Sequence, residues 1–509
     1  MKNKFSISIL IATVTVIFCS CEKDFLEKEP TEFFTQAQIT EAGETDPGVI
    51  AATVRGIYSQ MVEAESGGTT GDDDFGQKGY DIFSDMLCGD MALSQSSFGW
   101  YKASITEFQG TQDFTFADNR QVWRYYYRII RSANATIGAL GGNDAIPELQ
   151  QNKYLLGQAK AIRAHSYFYL TQFYTNDYNP SAEILPFYDD IDDLNGPKVT
   201  TKFIYDFMEN DLKSSISLLE GFSGAKNEIN KAVAQGILAY VLGSKRDSWT
   251  EVATLTNNII NNGGYPLMSS EEVTGGFNSV NTPGWMWGID LTLEIGLDLV
   301  SWWGQVDSFT FSYAWAGDRK SIDQDLYDAI PENDIRKEQF RDDEYPGRFL
   351  QPLNKFYDPN RVIGGQRNVE TDYVFMRIAE MYLLNAEASA KSGNEANAIA
   401  ILKELLSNRL LPIDDDNDPN TPPIPADINY VDGLSGQALL DEIYLQTRIE
   451  LWGEGKSYLA MKRNKATVTR GSNHLSFVGE PIPYNDERLS FEIPELEIQN
   501  NPFIDSQNE

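Results

Sequence analysis

Apolar side chains recur every three to four residues along much of this chain, the spacing that gathers them on one face of an α-helix. Within 121–140, Trp123, Tyr127, Ile130 and Ile137 share a stripe with Asn134 set among them. The same period runs through Leu155, Ala159, Ile162, Tyr169 and Phe173 and predicts a helix over 154–174. Further helices are predicted over 49–64, 202–220, 231–242, 249–261, 372–391, 395–409 and 436–463. The pattern therefore predicts a mainly α fold.

The predicted helices come in pairs joined by short turns. The clearest pair is 372–391 and 395–409 around Ser392-Gly393-Asn394, with Ala386, Ala388, Ala390 and Ala396 where two backbones must approach closely. Such a unit resembles a tetratricopeptide repeat of about 34 residues without its full consensus. A single pair cannot bury its apolar faces, so the pairs are expected to stack into a superhelical scaffold. Three insertions without helical period interrupt them, at 65–119, 263–319 and 413–433. Long insertions in a helical protein are functional or disordered, and the tryptophans in the first two argue for order.

The N-terminus sets the expected compartment. Lys2 and Lys4 precede an apolar stretch over 5–18, which suits an export signal better than a membrane span, and Ser20 then leads to Cys21. This resembles a bacterial lipobox, which makes 1–20 a signal peptide, Cys21 the lipidated mature N-terminus and 21–45 a flexible tether. Several acyl chains would hold the protein firmly, each buried methylene contributing about 0.8 kcal/mol. The net charge of −34 opposes binding to nucleic acid or an anionic lipid surface. Cys88 alone remains as a free thiol after such processing, so packing rather than a disulfide must stabilise the fold.

Residues 285–315 contain Trp285, Trp287, Trp302, Trp303 and Trp315 and no Lys or Arg. Aromatic faces stack on the C–H faces of sugar rings, and neighbouring acids or arginines take the hydroxyls. The candidate ligand-binding residues are therefore Trp100, Tyr101, Trp285, Trp287, Trp302, Trp303, Trp315, Asp318 and Arg319. If Trp302-Trp303 formed a strand, the two rings would face opposite ways and one would point outward.

Catalytic signals are sparse. The chain has two histidines, His165 and His474, too few for multi-histidine zinc sites. Gly455-Lys456-Ser457 mimics the tail of a phosphate loop, but Glu450 stands where an upstream glycine is required. The acidic runs 72–74 and 414–418 lack the spacing of a calcium loop and read as solvated turns. No cofactor and no metal are expected.

Several motifs, taken in order, resemble the SusD/RagB family of nutrient-binding outer-membrane lipoproteins from Bacteroidetes. They begin with Cys21-Glu22-Lys23-Asp24-Phe25-Leu26, then Ala133-Asn134, Arg163-Ala164, Tyr167-Phe168 and Leu185-Pro186. Asn230, Gly264-Tyr265-Pro266-Leu267, Arg377-Ile378-Ala379-Glu380, Arg448, Glu450-Leu451, Glu454-Gly455 and Ile493-Pro494 continue the series. Gln158, Thr447, Lys456 and Ala460 depart from it. The resemblance implies one SusD-like domain over 46–509, no catalysis, capture of an oligosaccharide or polysaccharide at the cell surface, and partnership with a SusC-like TonB-dependent transporter. The rival readings are a helical protein-binding scaffold, a peptide-binding nutrient receptor and, behind both, a glycoside hydrolase.

Overall fold

The computed structural model describes residues 35–340, 350–365, 368–414 and 422–508. Its longer helices are α1 (Gln36–Thr45), α2 (Pro47–Gln60), α3 (Gln77–Leu87), α4 (Ala117–Ala139), α5 (Gln150–Phe173), α6 (Thr201–Leu218), α7 (Lys231–Lys245), α8 (Trp249–Asn262), α9 (Ile378–Lys391), α10 (Glu395–Leu406), α11 (Gly436–Glu450) and α12 (Lys456–Asn464). Successive helices pack on one another from α4 through α10, and α11 returns to pack on α9. This is the stacked, repeat-like scaffold that the pairing predicts.

α5 shows how the sequence builds the core. Buried residues lie all around it, including Arg163, because neighbouring helices cover every face. The buried guanidinium is satisfied by Asp211 at 2.8 and 3.0 Å, by Asn134 at 2.9 Å and by Asn143 at 2.7 Å. Arg163-Ala164 and Ala133-Asn134 thus owe their roles to a cross-helix hydrogen-bond network.

A second network pins α9 to α11. Glu450 accepts from Arg377 at 2.6 Å, from Arg409 at 2.9 Å and from Arg336 at 3.1 Å. Glu454 meets Arg377 at 2.7 Å and Lys355 at 2.9 Å. Burial alone would raise the Glu450 carboxyl, but Arg409 and Arg377 override it and hold it well below the usual carboxylate range.

The structure changes several expected boundaries. Residues 36–45, expected in the tether, form α1, which starts with a capping box at Thr35 and docks through Gln36 Nε2 on Ala135 O at 2.7 Å. Residues 373–377, read as the start of a helix, form a strand instead. The helix expected over 436–463 breaks between α11 and α12, where Gly453 and Gly455 take φ of 78° and 70°. A Cβ on Gly455 would lie 2.6 Å from Asp81 Oδ1, and Lys456 is buried against Tyr169, so the phosphate-loop mimic is a packing feature.

Eight short strands pair two by two among the described residues: β1 (Met91–Gln95) with β5 (Arg319–Ile322), β2 (Glu183–Pro186) with β3 (Lys198–Thr200), β4 (Trp285–Ile289) with β6 (Tyr373–Arg377), and β7 (Thr467–Thr469) with β8 (Pro481–Pro483). Among these residues no helix is long and apolar enough to cross a membrane. Cys21, the signal peptide and most of the 414–418 acidic run lie outside them.

Candidate functional site

The β1–β5 ribbon joins two insertions that are far apart in sequence. Antiparallel pairing sets Leu93 opposite Lys320 and, across a bulge, Gln95 opposite Arg319. The segment after β1 therefore meets the segment before β5. Asp318, fully buried, completes the junction. Its Oδ1 accepts the backbone N–H groups of Ser97 at 2.5 Å and Phe98 at 2.8 Å, and its Oδ2 accepts that of Trp100 at 3.3 Å. Gly317 at φ 125° makes the close approach feasible, because a Cβ there would lie 2.3 Å from Ser97 Oγ.

On this junction stands a surface of aromatic rings. Phe98 is 58% exposed, Phe311 40% and Trp315 37%, while Trp100 and Tyr313 are half-buried. Tyr313 contacts Phe98 and Trp100 edge to face, with centroids 5.4 and 6.0 Å apart, and Phe311 lies 6.0 Å from Trp315. The short helical turn Tyr313–Ala316 carries both Tyr313 and Trp315, and Ser312 caps it by accepting the Trp315 N–H at 2.9 Å. A third segment flanks it: a Cβ on Gly364 would lie 2.7 Å from the Trp315 ring, and Val362 and Ile363 beside it are exposed.

Polar groups hold the rings from beneath. The Tyr313 hydroxyl donates to Asp72 Oδ2, and burial followed by that carboxylate pushes the phenol up to about 12. Gln305 Nε2 donates to Asp72 O at 2.8 Å, and Gln305 Oε1 accepts from buried Lys320 at 2.7 Å. Burial pushes the Lys320 ammonium down to about 7. Asp73 and Asp118 share a hydrogen bond close by, and burial raises both carboxyls.

The other candidate residues lie elsewhere. Trp285 and Trp287 sit in β4, which is covered on both faces, with Trp287 centred 5.0 Å from Phe375 and 5.4 Å from His165. Trp302-Trp303 do not form a strand. Ser301 caps a short helix, Trp302–Val306, and both rings point into the core. Trp302 packs 4.9 Å from Phe356 beneath the Lys78 ammonium, and Trp303 Nε1 donates to Thr371 O at 2.7 Å. Tyr101 is also buried, because its left-handed backbone at φ 64° and the π-helical turn Lys102–Thr106 turn it inward beside half-buried Trp100. These five rings offer no face to an external ligand in this structure. Asp318 positions the loop from inside, and Arg319 is half-buried at the foot of the ribbon.

Two family models match the chain. One, described as the SusD family, covers 343–504, and another, described as starch-binding and associating with the outer membrane, covers 76–242. The chain belongs to the SusD/RagB family. Solved structures share the SusD-like helical fold. A SusD-like carbohydrate-binding protein from Bacteroides vulgatus superposes with a TM-score of 0.74 at 24% identity, over 90% of this chain and 97% of that one. A SusD superfamily protein from Bacteroides thetaiotaomicron gives 0.70 at 20% identity over 90% and 99%. Surface glycan-binding protein A from Bacteroides uniformis gives 0.62 at 17% identity over 91% and 99%. No curated protein matches the chain.

In this SusD/RagB chain, aromatic composition marks two insertions that the fold joins; of the tryptophans it singles out, Trp100 and Trp315 stand on the aromatic surface, whereas Trp285, Trp287, Trp302 and Trp303 are buried. Exposed Phe98 and Phe311 and half-buried Tyr313 belong to this surface, and the 361–365 segment beside Trp315 carries no aromatic signal. Two local cues distinguish the elements: Ser301 and Ser312 each cap a short helical turn, which fixes where the following rings point.

Proposed function

We propose that this protein binds carbohydrate non-catalytically at the outer membrane and delivers it to a SusC-like TonB-dependent transporter. The observation that carries the reading is the aromatic surface of exposed Phe98, Phe311 and Trp315 with half-buried Trp100 and Tyr313, assembled from two distant insertions on one buried carboxylate. Flat rings held edge to face offer C–H/π contacts to a neutral sugar without a charge to discriminate it. Exposed Gln95 and Ser97 stand at the rim, where their polar groups can meet sugar hydroxyls. The match to a model described as starch-binding and outer-membrane-associating supports the same reading. Lipid on Cys21 supplies the anchor.

A screen of the purified protein against neutral glycans, maltooligosaccharides included, tests the binding step. Binding that weakens in Trp315→Ala supports the site. Absence of binding to every glycan in the screen contradicts it.

A further inference from the structure

A groove of about 440 Å³ runs along α4, between the loop 188–195 and the short C-terminal helix Glu495–Asn500. It is distinct from the aromatic surface and shares no residue with it. Its basic wall comes from one helix. Arg120, Arg124, Arg128 and Arg131 repeat at intervals of four, four and three residues, which places them along one side of α4. Like charges at this spacing destabilise a helix, so a ridge of four calls for compensation.

Within the described residues no direct ion pair supplies it. None of the four arginines forms an ion pair there. Their side-chain hydrogen bonds are limited to Arg128 on Ser66 O at 2.5 Å and Arg131 on Ile191 O at 3.5 Å. Arg120 Nε is buried with no acceptor, while Arg124 and Arg128 are exposed. The acids across the groove are already engaged by their own loops. Asp193 accepts the backbone N–H groups of Asp189 at 2.7 Å and Asp190 at 2.9 Å, Asp190 accepts that of Asp192 at 3.0 Å, and Glu497 accepts from Asn501 at 2.9 Å. The groove therefore has more donors than acceptors, on a chain whose net charge is −34.

Its floor is aromatic. The half-buried Tyr127 ring lies 4.8 Å from Trp123 and 5.7 Å from Tyr188, and its hydroxyl is tied to Pro186 O at 2.8 Å. Rings fixed in this way present flat faces rather than deep apolar holes. A bound peptide strand would need a sheet edge to pair with or pockets for alternate side chains. The groove is walled by α4, a loop and a short helix, and a sugar ring suits it better. The guanidinium fork matches carboxylate and sulfate oxygens in pairs.

We infer that this groove is a second ligand site, which takes an anionic saccharide with its rings on Tyr127 and Tyr188 and its acid groups on Arg124 and Arg128. The acidic remainder of the chain repels long polyanions, so the groove selects a short acidic stretch of glycan. The site acts independently of the neutral-glycan surface at Trp315.

The test titrates the purified protein with trigalacturonic acid, with its carboxyl-reduced neutral counterpart, with a sulfated disaccharide and with a hexaglutamate peptide. The uronate or the sulfated sugar should bind at least about tenfold more tightly than the neutral trisaccharide, with affinity falling as salt rises. The preferred arm identifies the acid group. Arg124→Gln combined with Arg128→Gln should abolish that preference while leaving the thermal melt and neutral-glycan binding unchanged. Trp315→Ala should leave the preference intact, so failure here is distinguishable from failure of the aromatic site. If the pair of substitutions lowers the melt, Arg124→Gln alone carries the comparison. Equal binding of charged and neutral sugars, no binding of either anionic sugar, or hexaglutamate binding as tightly as both overturns the assignment.

Discussion

Asp318 Oδ2 accepts the backbone N–H of Trp100 at 3.3 Å, tying the segment after β1 to the segment before β5. Through this bond, one buried carboxylate sets the position of a ring that lies 218 residues away in the chain. Asp318→Ala should leave three loop N–H groups without their acceptor and cost about 1–3 kcal/mol of stability, softened where water replaces the carboxylate. Glycan affinity should fall along with it, because Phe98 and Trp100 lose their fixed placement. Unchanged binding in a folded Asp318→Ala protein, measured by calorimetry beside a thermal melt, would separate the loop from the site.

The Glu450 cluster makes a larger claim on stability. Glu450→Ala removes the carboxylate that faces Arg336, Arg377 and Arg409 and leaves three guanidinium groups without it in the core. Breaking one side of a buried ion network costs about 3–5 kcal/mol. Chemical denaturation should show a lower midpoint with an unchanged slope.

Lys320 gives the fold a pH signature. Its folded pKa of about 7 lies below the ordinary lysine value of 10.5, so above pH 7 the unfolded chain binds a proton that the folded chain does not. Stability from this group therefore rises with pH between those two values, and below pH 7 a buried ammonium persists. Lys320→Met removes the dependence. The stability difference, wild type minus variant, should climb by about 1.4 kcal/mol per pH unit from pH 8 to 9. A flat difference across that range would contradict the burial argument.

Much of the helical scaffold was legible because the apolar period of α4 and α5 is strong and their buried polar groups, Asn134 and Arg163, stand at helix-facing positions. The strand Tyr373–Arg377 was not, because a short apolar run fused to a following helix has no period of its own. Aromatic density located the candidate surface only to within an insertion. Whether a ring is core or surface depends on which segment covers it, and β6 and Phe356, which cover Trp287 and Trp302, lie far along the chain. The basic ridge of α4 was readable in principle from its spacing of four. What the sequence withheld is that no described acid forms an ion pair with it.

The buried tryptophans should behave as core residues. Trp302→Ala and Trp303→Ala should each cost about 3–5 kcal/mol of folding stability, which thermal or denaturant unfolding reads directly. Substitution of either ring with no effect on unfolding would place it outside the core.

The most direct test of the carbohydrate-binding account compares wild type and Trp315→Ala by calorimetric titration with the neutral glycan that binds best in the screen. Trp315 is 37% exposed and packs against Phe311 and Gly364, so the variant should keep its melting temperature and lose about 1–3 kcal/mol of binding free energy. A folded Trp315→Ala protein that binds this glycan as tightly as wild type would contradict the account.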